Sequence, residues 1–191
     1  MRNARAGLDY QAVIQAAALL ADSEGLEKLS MANLAAQLGV QSPTLYHYVN
    51  GLTGLRRALT LYGLKILTTQ LGREVMGKAG DDAVLALAQT MRNFGKEHPG
   101  LYAAVQTAPD PEDAEWLNTG REVVDIMIRA LSAYKLSPED AQHAIRMLRI
   151  IVDGTISLEK IGGFGLPLEV DETLRRLLVS LLDYLHMTPP K

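Results

Sequence analysis

The sequence predicts an all-α protein with about nine helices. An N-terminal three-helix domain occupies residues 1–52 and a larger helical domain occupies residues 53–191. Three observations predict this. Apolar residues make up 48% of the chain but aromatic residues only 5%, so Ala, Leu and Ile supply most of the apolar mass, which favours helices over strands. Apolar residues recur at spacings of three and four, and no stretch alternates strictly as a half-buried strand would. Gly, Pro, Ser and Asp fall where those periodic stretches begin and end.

Asp9 is placed to cap a first helix whose apolar face is Val13, Ile14, Ala17, Ala18 and Ala21, and Gly25 is placed to end it. Ser30 caps the second helix, which carries Met31, Leu34, Ala35 and Leu38 and stops at Gly39. Ser42 caps the third, with Pro43 at its first position, where a missing N–H costs nothing, and Leu45 and Val49 turned inward. Asn50, Gly51 and Gly54 mark a break before a long helix reaching Met76, in which Gly63 and Gly72 argue against a straight course. A loop and then a helix over 81–98 follow, and Pro99-Gly100 opens a short helical segment with Leu101, Tyr102 and Val105. After the break at Pro109 and Pro111 a helix covers 112–134. Ser137-Pro138 starts the next, with Ala141, Ala144, Ile145, Leu148, Ile151, Val152 and Ile156, and Gly162-Gly163-Phe164-Gly165-Leu166-Pro167 cannot continue it. The last helix, over 170–187, is rich in Leu.

Composition excludes several classes of function. There is no Cys, hence no disulfide, thiolate metal site or cysteine nucleophile. No apolar run approaches the roughly 18 residues of a membrane span, and the N-terminus lacks the apolar core of a signal peptide. The expectation is a soluble cytoplasmic protein with no membrane partner. His47, His98, His143 and His186 have no metal-ligand spacing. The Gly162–Gly165 run follows a helix rather than a strand and has no Lys beside it, so it reads as a helix stop and not a phosphate loop. Glu139-Asp140 and Asp171-Glu172 suit the dipoles of helix N-termini. No enzyme activity, cofactor or metal is expected. The net charge is −3; residues 1–60 hold five Lys/Arg against four Asp/Glu, and the rest of the chain fourteen against eighteen. That asymmetry permits DNA binding without requiring it.

The second and third helices carry the clearest functional pattern. Two short helices joined by a tight turn, here at Gly39, make a helix-turn-helix unit. Its second helix enters the major groove and needs short polar groups near its start. Gln41, Ser42 and Thr44 fit base edges, with Pro43 opening the helix, and Tyr46, His47 and Tyr48 can donate to phosphates. Ser30, at the head of the first helix of the motif, and Arg2 and Arg5 upstream are further candidate phosphate or minor-groove contacts. The same pattern also fits a small three-helix core with a polar exposed face.

The run Leu29-Ser30-Met31-Ala32-Asn33-Leu34-Ala35-Ala36-Gln37-Leu38-Gly39-Val40, followed by Ser42-Pro43-Thr44-Leu45-Tyr46-His47-Tyr48-Val49, resembles the DNA-binding signature of the TetR family of transcriptional regulators. His98-Pro99-Gly100-Leu101-Tyr102, Leu148-Arg149-Ile150-Ile151-Val152-Asp153-Gly154 and the Gly162–Pro167 run resemble the WHG type of TetR C-terminal domain. The resemblance implies a homodimeric repressor that binds double-stranded operator DNA through its N-terminal domain. It also implies a small-molecule effector, of unknown identity, taken up by the larger domain. One departure stands out. The family usually carries a phosphate-gripping Lys in the turn into the fourth helix, where this chain has Leu52. Arg56 or Arg57 is the nearest substitute.

Apolar residues of the central helices suit core packing one by one, and as a group they are the candidate pocket: Met91, Phe94, Leu101, Tyr102, Val105, Trp116, Met127 and Met147. Arg92, Arg121 and His143 are possible polar partners there, although solvated surface positions suit each better. The last two helices have more apolar face than a small domain needs. Ile145, Leu148, Val152, Leu174, Leu178, Leu181 and Leu185 are therefore the candidate dimer seam, by analogy with the four-helix bundle that the resemblance implies; the alternative is that they complete the core of one chain. Leu52 and the small local charge also motivate a second reading: a ligand-binding or protein-interaction module with weak or no DNA binding.

Overall fold

The computed structural model describes residues 8–188. Among them are nine α-helices, two short 3-10 turns and no strand. In chain order the helices are α1 (Tyr10–Glu24), α2 (Met31–Leu38), α3 (Ser42–Leu45), α4 (Gly51–Val75), α5 (Gly80–Glu97), α6 (Pro99–Val105), α7 (Ala114–Ala130), α8 (Pro138–Lys160) and α9 (Val170–Met187). The all-α expectation holds. The chain divides into two compact units. The first takes the described residues up to Ile66 together with Glu97–Leu117, and the second takes Leu67–Lys96 with the described residues from Asn118 on. The unit holding the helix-turn-helix thus extends past residue 52 and includes α6.

In the first unit, local capping chemistry sets the helix ends. The Asp9 carboxylate accepts the N–H of Ala12 at 2.7 Å, and Gly25 closes α1 with its N–H on Ala21 O at 2.9 Å. Ser30 and Asn33 form a reciprocal capping box at the start of α2. The third helix starts one residue earlier than the cap pattern suggested. Gln41 is the extended cap residue, its carbonyl accepts the Thr44 N–H at 2.9 Å, and Ser42 and Pro43 are already helical. Only one α-turn forms; tighter turns then carry the chain to Val49, with Tyr48 N–H on Leu45 O at 3.0 Å. Leu34, Leu45, Leu55 and Leu59 are fully buried together with Val13 and Ala17. Each such Leu contributes about 2 kcal/mol by leaving water.

The long helix runs from Gly51 to Val75 with no interruption at Gly63 or Gly72. A Cβ at Gly63 would lie 2.8 Å from the Cγ1 of Val105, so the missing side chain serves the close approach of α4 and α6. A second contact joins them: the buried Thr60 hydroxyl donates to Ala104 O at 3.1 Å. The most extensive helix pairing in the unit is α1 on α6.

In the second unit, α5, α7, α8 and α9 bury Leu87, Phe94, Met127, Val152, Leu181 and Leu185. The helix expected over 112–134 is shorter. Asp113 stops it from beginning earlier, because its carboxylate accepts the Trp116 N–H at 3.1 Å and so caps α7. At the far end the chain tightens into a 3-10 turn, Ser132–Tyr134, and reverses at Lys135. Arg92 is buried in this unit but not unpaired: its guanidinium reaches Glu159 at 2.7 Å and Asp171 at 2.6 Å. Asp81, Tyr134 and His186 form another cluster. Asp81 accepts from the Tyr134 hydroxyl at 2.5 Å and lies 2.9 Å from His186 Nε2. The Tyr134 and His186 hydrogen bonds hold the Asp81 carboxyl below its usual range, and burial together with Asp81 pushes the Tyr134 phenol up.

Candidate nucleic-acid interface and effector cleft

The turn between α2 and α3 depends on Gly39, whose φ of 68° is left-handed. Val40 N–H then bonds Ala35 O at 3.0 Å, closing the helix in a Schellman arrangement. Leu45 and Val49 are buried, which anchors α3 by one side. The other side faces outward: Gln41, Pro43, Tyr46 and His47 are exposed, and Ser42 and Thr44 are half-buried at the start of the helix. The exposed surface therefore carries an amide, a phenol, an imidazole and two accessible hydroxyls on a short, firmly seated helix. That is the set of neutral donors and acceptors suited to base edges and phosphates.

Two residues expected to contact DNA are committed elsewhere. Ser30 is consumed by its own capping box, its hydroxyl donating to Asn33 Oδ1 at 2.8 Å and accepting the Asn33 N–H at 3.2 Å. Tyr48 donates its hydroxyl proton to Leu8 O at 2.7 Å, tying the chain before α1 to the end of the reading segment. Through these bonds both side chains help to position the unit. Arg2 and Arg5 lie outside the described residues.

The two substitutes for the missing Lys differ sharply. Arg57 is held by Asp113, both through Nε and through Nη2 at 2.8 Å, and by Glu115 at 2.9 Å. The Arg57 guanidinium, helped by the Trp116 N–H, lowers the Asp113 carboxyl to about 2, and Asp113 and Glu115 in turn raise Arg57. Arg56 is exposed.

The eight candidate pocket residues divide evenly between the units. Leu101, Tyr102, Val105 and Trp116 belong to the first, and Met91, Phe94, Met127 and Met147 to the second. Met91, Phe94, Leu101, Tyr102 and Met127 are buried, and Val105 and Met147 are half-buried. Trp116, also half-buried, lines a cleft of about 660 Å³ within the first unit, between the first turns of α4 and the segment joining α6 to α7. Arg121 and His143 are exposed. The seven residues expected at a dimer seam are all buried within the single chain, Val152 completely and Leu178 to 7% exposure. They pack α8 and α9 into the core, so they are covered before a second chain arrives. The large apolar side chains left outside on those helices are Ile150, Leu158, Leu177, Val179 and Met187.

One feature escaped the sequence reading. Asp22, near the end of α1, accepts the N–H groups of Gly100 at 2.8 Å and Leu101 at 3.0 Å, and lies 3.1 Å from His98 Nδ1. It caps α6 from another helix. The available signal was the start of α6 itself: His98 supplies no side-chain cap, which leaves its first N–H groups in need of a distant acceptor.

These features define a helix-turn-helix DNA-binding regulator on an all-α frame. Residues 13–58 match the tetR family of bacterial regulatory proteins, and residues 84–181 match the tetracyclin repressor-like C-terminal domain. An uncharacterized HTH-type transcriptional regulator of Mycobacterium tuberculosis is 34% identical over 158 residues, which is 82% of this chain and 72% of that protein. An HTH-type transcriptional repressor of Streptomyces coeruleorubidus is 34% identical over 109 residues, covering 56% of this chain and 39% of that one. In fold the chain is similar to a TetR variant of Acinetobacter baumannii solved with minocycline, with a TM-score of 0.69, 23% identity, and 93% and 96% of the two chains covered. The chain belongs to the TetR family: it is a DNA-binding transcriptional regulator and not an enzyme. None of its described helices is long and apolar enough to cross a membrane.

Proposed function

We propose that this protein is a homodimeric repressor, released from a palindromic operator by a small apolar or amphipathic effector. Exposed Gln41, Tyr46 and His47, with half-buried Thr44 among them, on the α3 segment that Leu45 and Val49 anchor, carry the reading. Two such helices related by a two-fold axis would read half-sites about 34–36 Å apart. The relative named as a repressor supports repression, and the minocycline-bound structural neighbour supports a ligand response. The dimer seam falls on the outer face of α8 and α9, where Ile150, Leu158 and Leu177 are among the exposed apolar residues, and not on the buried leucines. An effector acts by favouring the state that grips DNA less well.

A mobility-shift assay on DNA flanking the gene, backed by random-site selection, tests this. A salt-sensitive, sequence-preferring complex that Gln41→Ala with Thr44→Ala removes is the expected result; no such complex in either assay refutes it. A second reading is favoured by Leu52 together with the commitment of Arg57 to Asp113 and Glu115. In it the fold serves as a ligand-binding or protein-interaction module with little DNA binding, and the same double substitution leaves all activity intact.

A further inference from the structure

The cleft beside Trp116 lies in the same compact unit as the reading helix. Its volume of about 660 Å³ falls within the roughly 300–1,000 Å³ of small-molecule sites. Asn50 and the first turns of α4, through Thr53 and Arg56, line one side of it, and Pro109 and the half-buried Trp116, in the first turn of α7, line the other. Four charged side chains line it, and three are committed. Arg57 and Asp113 hold each other, and Asp110 accepts the N–H of Glu112 within its own loop at 3.0 Å. Arg56 is exposed and makes no ion pair among the described residues. An uncommitted guanidinium offers a planar fork to two carboxylate oxygens, and an indole lining the same cleft offers a face for an aromatic ring.

Arg56 has a second claim on it. It follows Leu52 by four residues, so the two share a face of α4. Leu52 stands where the resemblance led us to expect a phosphate-gripping Lys. With Arg57 locked, the cation left on that face at the head of α4 is Arg56.

We propose that the cleft binds a small aromatic carboxylic acid through Arg56 and Trp116, and that the acid competes with operator phosphate for the Arg56 guanidinium. The competition rests on the DNA-binding reading above; the binding site does not.

Trp116 is the single tryptophan of the chain, so its indole N–H gives one resolved signal in a proton–nitrogen correlation spectrum. The full chain is titrated with 2-naphthoate and with the neutral 2-naphthalenemethanol. The expected result is a saturable shift of the indole signal with 2-naphthoate. Arg56→Ala weakens that binding at least about tenfold, the value of a charge-assisted hydrogen-bond pair, and leaves the neutral probe unchanged. No saturable shift, or an equal loss for both probes, overturns the site. In a mobility-shift assay on a fragment the protein binds, 2-naphthoate releases the DNA over the same concentration range; saturation of the indole shift with the DNA complex intact overturns the competition. If no fragment is bound, the DNA-binding reading fails while the Arg56-dependent indole shift still decides the site.

Discussion

Replacing Gly100 by Ala tests whether α6 is welded to α1. A Cβ on Gly100 would sit 2.1 Å from the carbonyl carbon of Ala21, 2.3 Å from its oxygen and 2.5 Å from the N of Asp22. These are backbone atoms of a helix, so no side chain can swing aside. Ordinary contact distances begin near 3.4 Å, so α6 must withdraw by about 1 Å or more. The 2.8 Å and 3.0 Å bonds from Gly100 and Leu101 to Asp22 then break. Each hydrogen bond to a charged acceptor is worth about 1.5–3 kcal/mol, and overpacking adds about 1–3 kcal/mol. Since one movement relieves the clash and breaks the bonds, the terms overlap, and a loss of about 3–5 kcal/mol is expected. That is a large part of the roughly 5–15 kcal/mol stability of a domain. Urea denaturation followed by circular dichroism measures it. The comparison is Gly154→Ala, in the interior of α8 with nothing within 4 Å of the new Cβ. It should stabilise by about 0.5–1 kcal/mol through helix propensity alone. A Gly100→Ala protein within 1 kcal/mol of the original would refute the reasoning.

Three further outcomes are expected. Ser30→Ala removes the hydroxyl half of the capping box on α2, leaving the backbone N–H of residue 30 on Asn33 Oδ1, and should cost about 1 kcal/mol, seen as a lower Tm. Tyr48→Phe loses the hydroxyl bond to Leu8 and should cost about 0.5–1.5 kcal/mol in urea denaturation while leaving the helical content unchanged. The Asp113 carboxyl is lowered, so the stability it contributes through Arg57 is complete above the ordinary carboxylate range and is lost as pH falls toward about 2. Carbon NMR of that carboxyl should titrate near 2 in the native chain and rise toward the ordinary range in Arg57→Ala, where the Trp116 N–H still lowers it; an ordinary value in both would dismiss the pairing.

The helix ends of the first unit were legible because the chemistry that sets them is local. Asp9, Gly25, Ser30 and Gly39 each act on groups within about five residues, and each ends or begins a helix as its type predicts. The same locality explains the small errors. Ser42 is as good a cap residue as Ser30, and the one-residue shift to Gln41 depends on the turn geometry inherited from Gly39 and not on side-chain preference. Gly63 was legible as a glycine but not as a contact surface, because Val105 meets it from far along the chain.

By itself, the sequence determined the all-α class, the order of the helices and the reading head. Periodicity and capping are properties of neighbouring residues, and the run from Leu29 to Val49 carries its own family likeness. Only the tertiary structure decided which polar groups remain free to act and which apolar faces remain uncovered. Ser30, Tyr48 and Arg57 look like DNA contacts on the chain, yet the fold gives each an internal partner, and it leaves Gln41, His47 and Arg56 facing outward. The leucines of α9 look like a dimer seam, yet α8 and the core cover them, and Leu177 is left outside. The physical reason is the same throughout. A sequence states what a side chain is able to bond or bury against, but the partner that satisfies it is fixed by contacts such as Arg57 with Asp113, 56 residues on, and Asp22 with Gly100, 78 residues on.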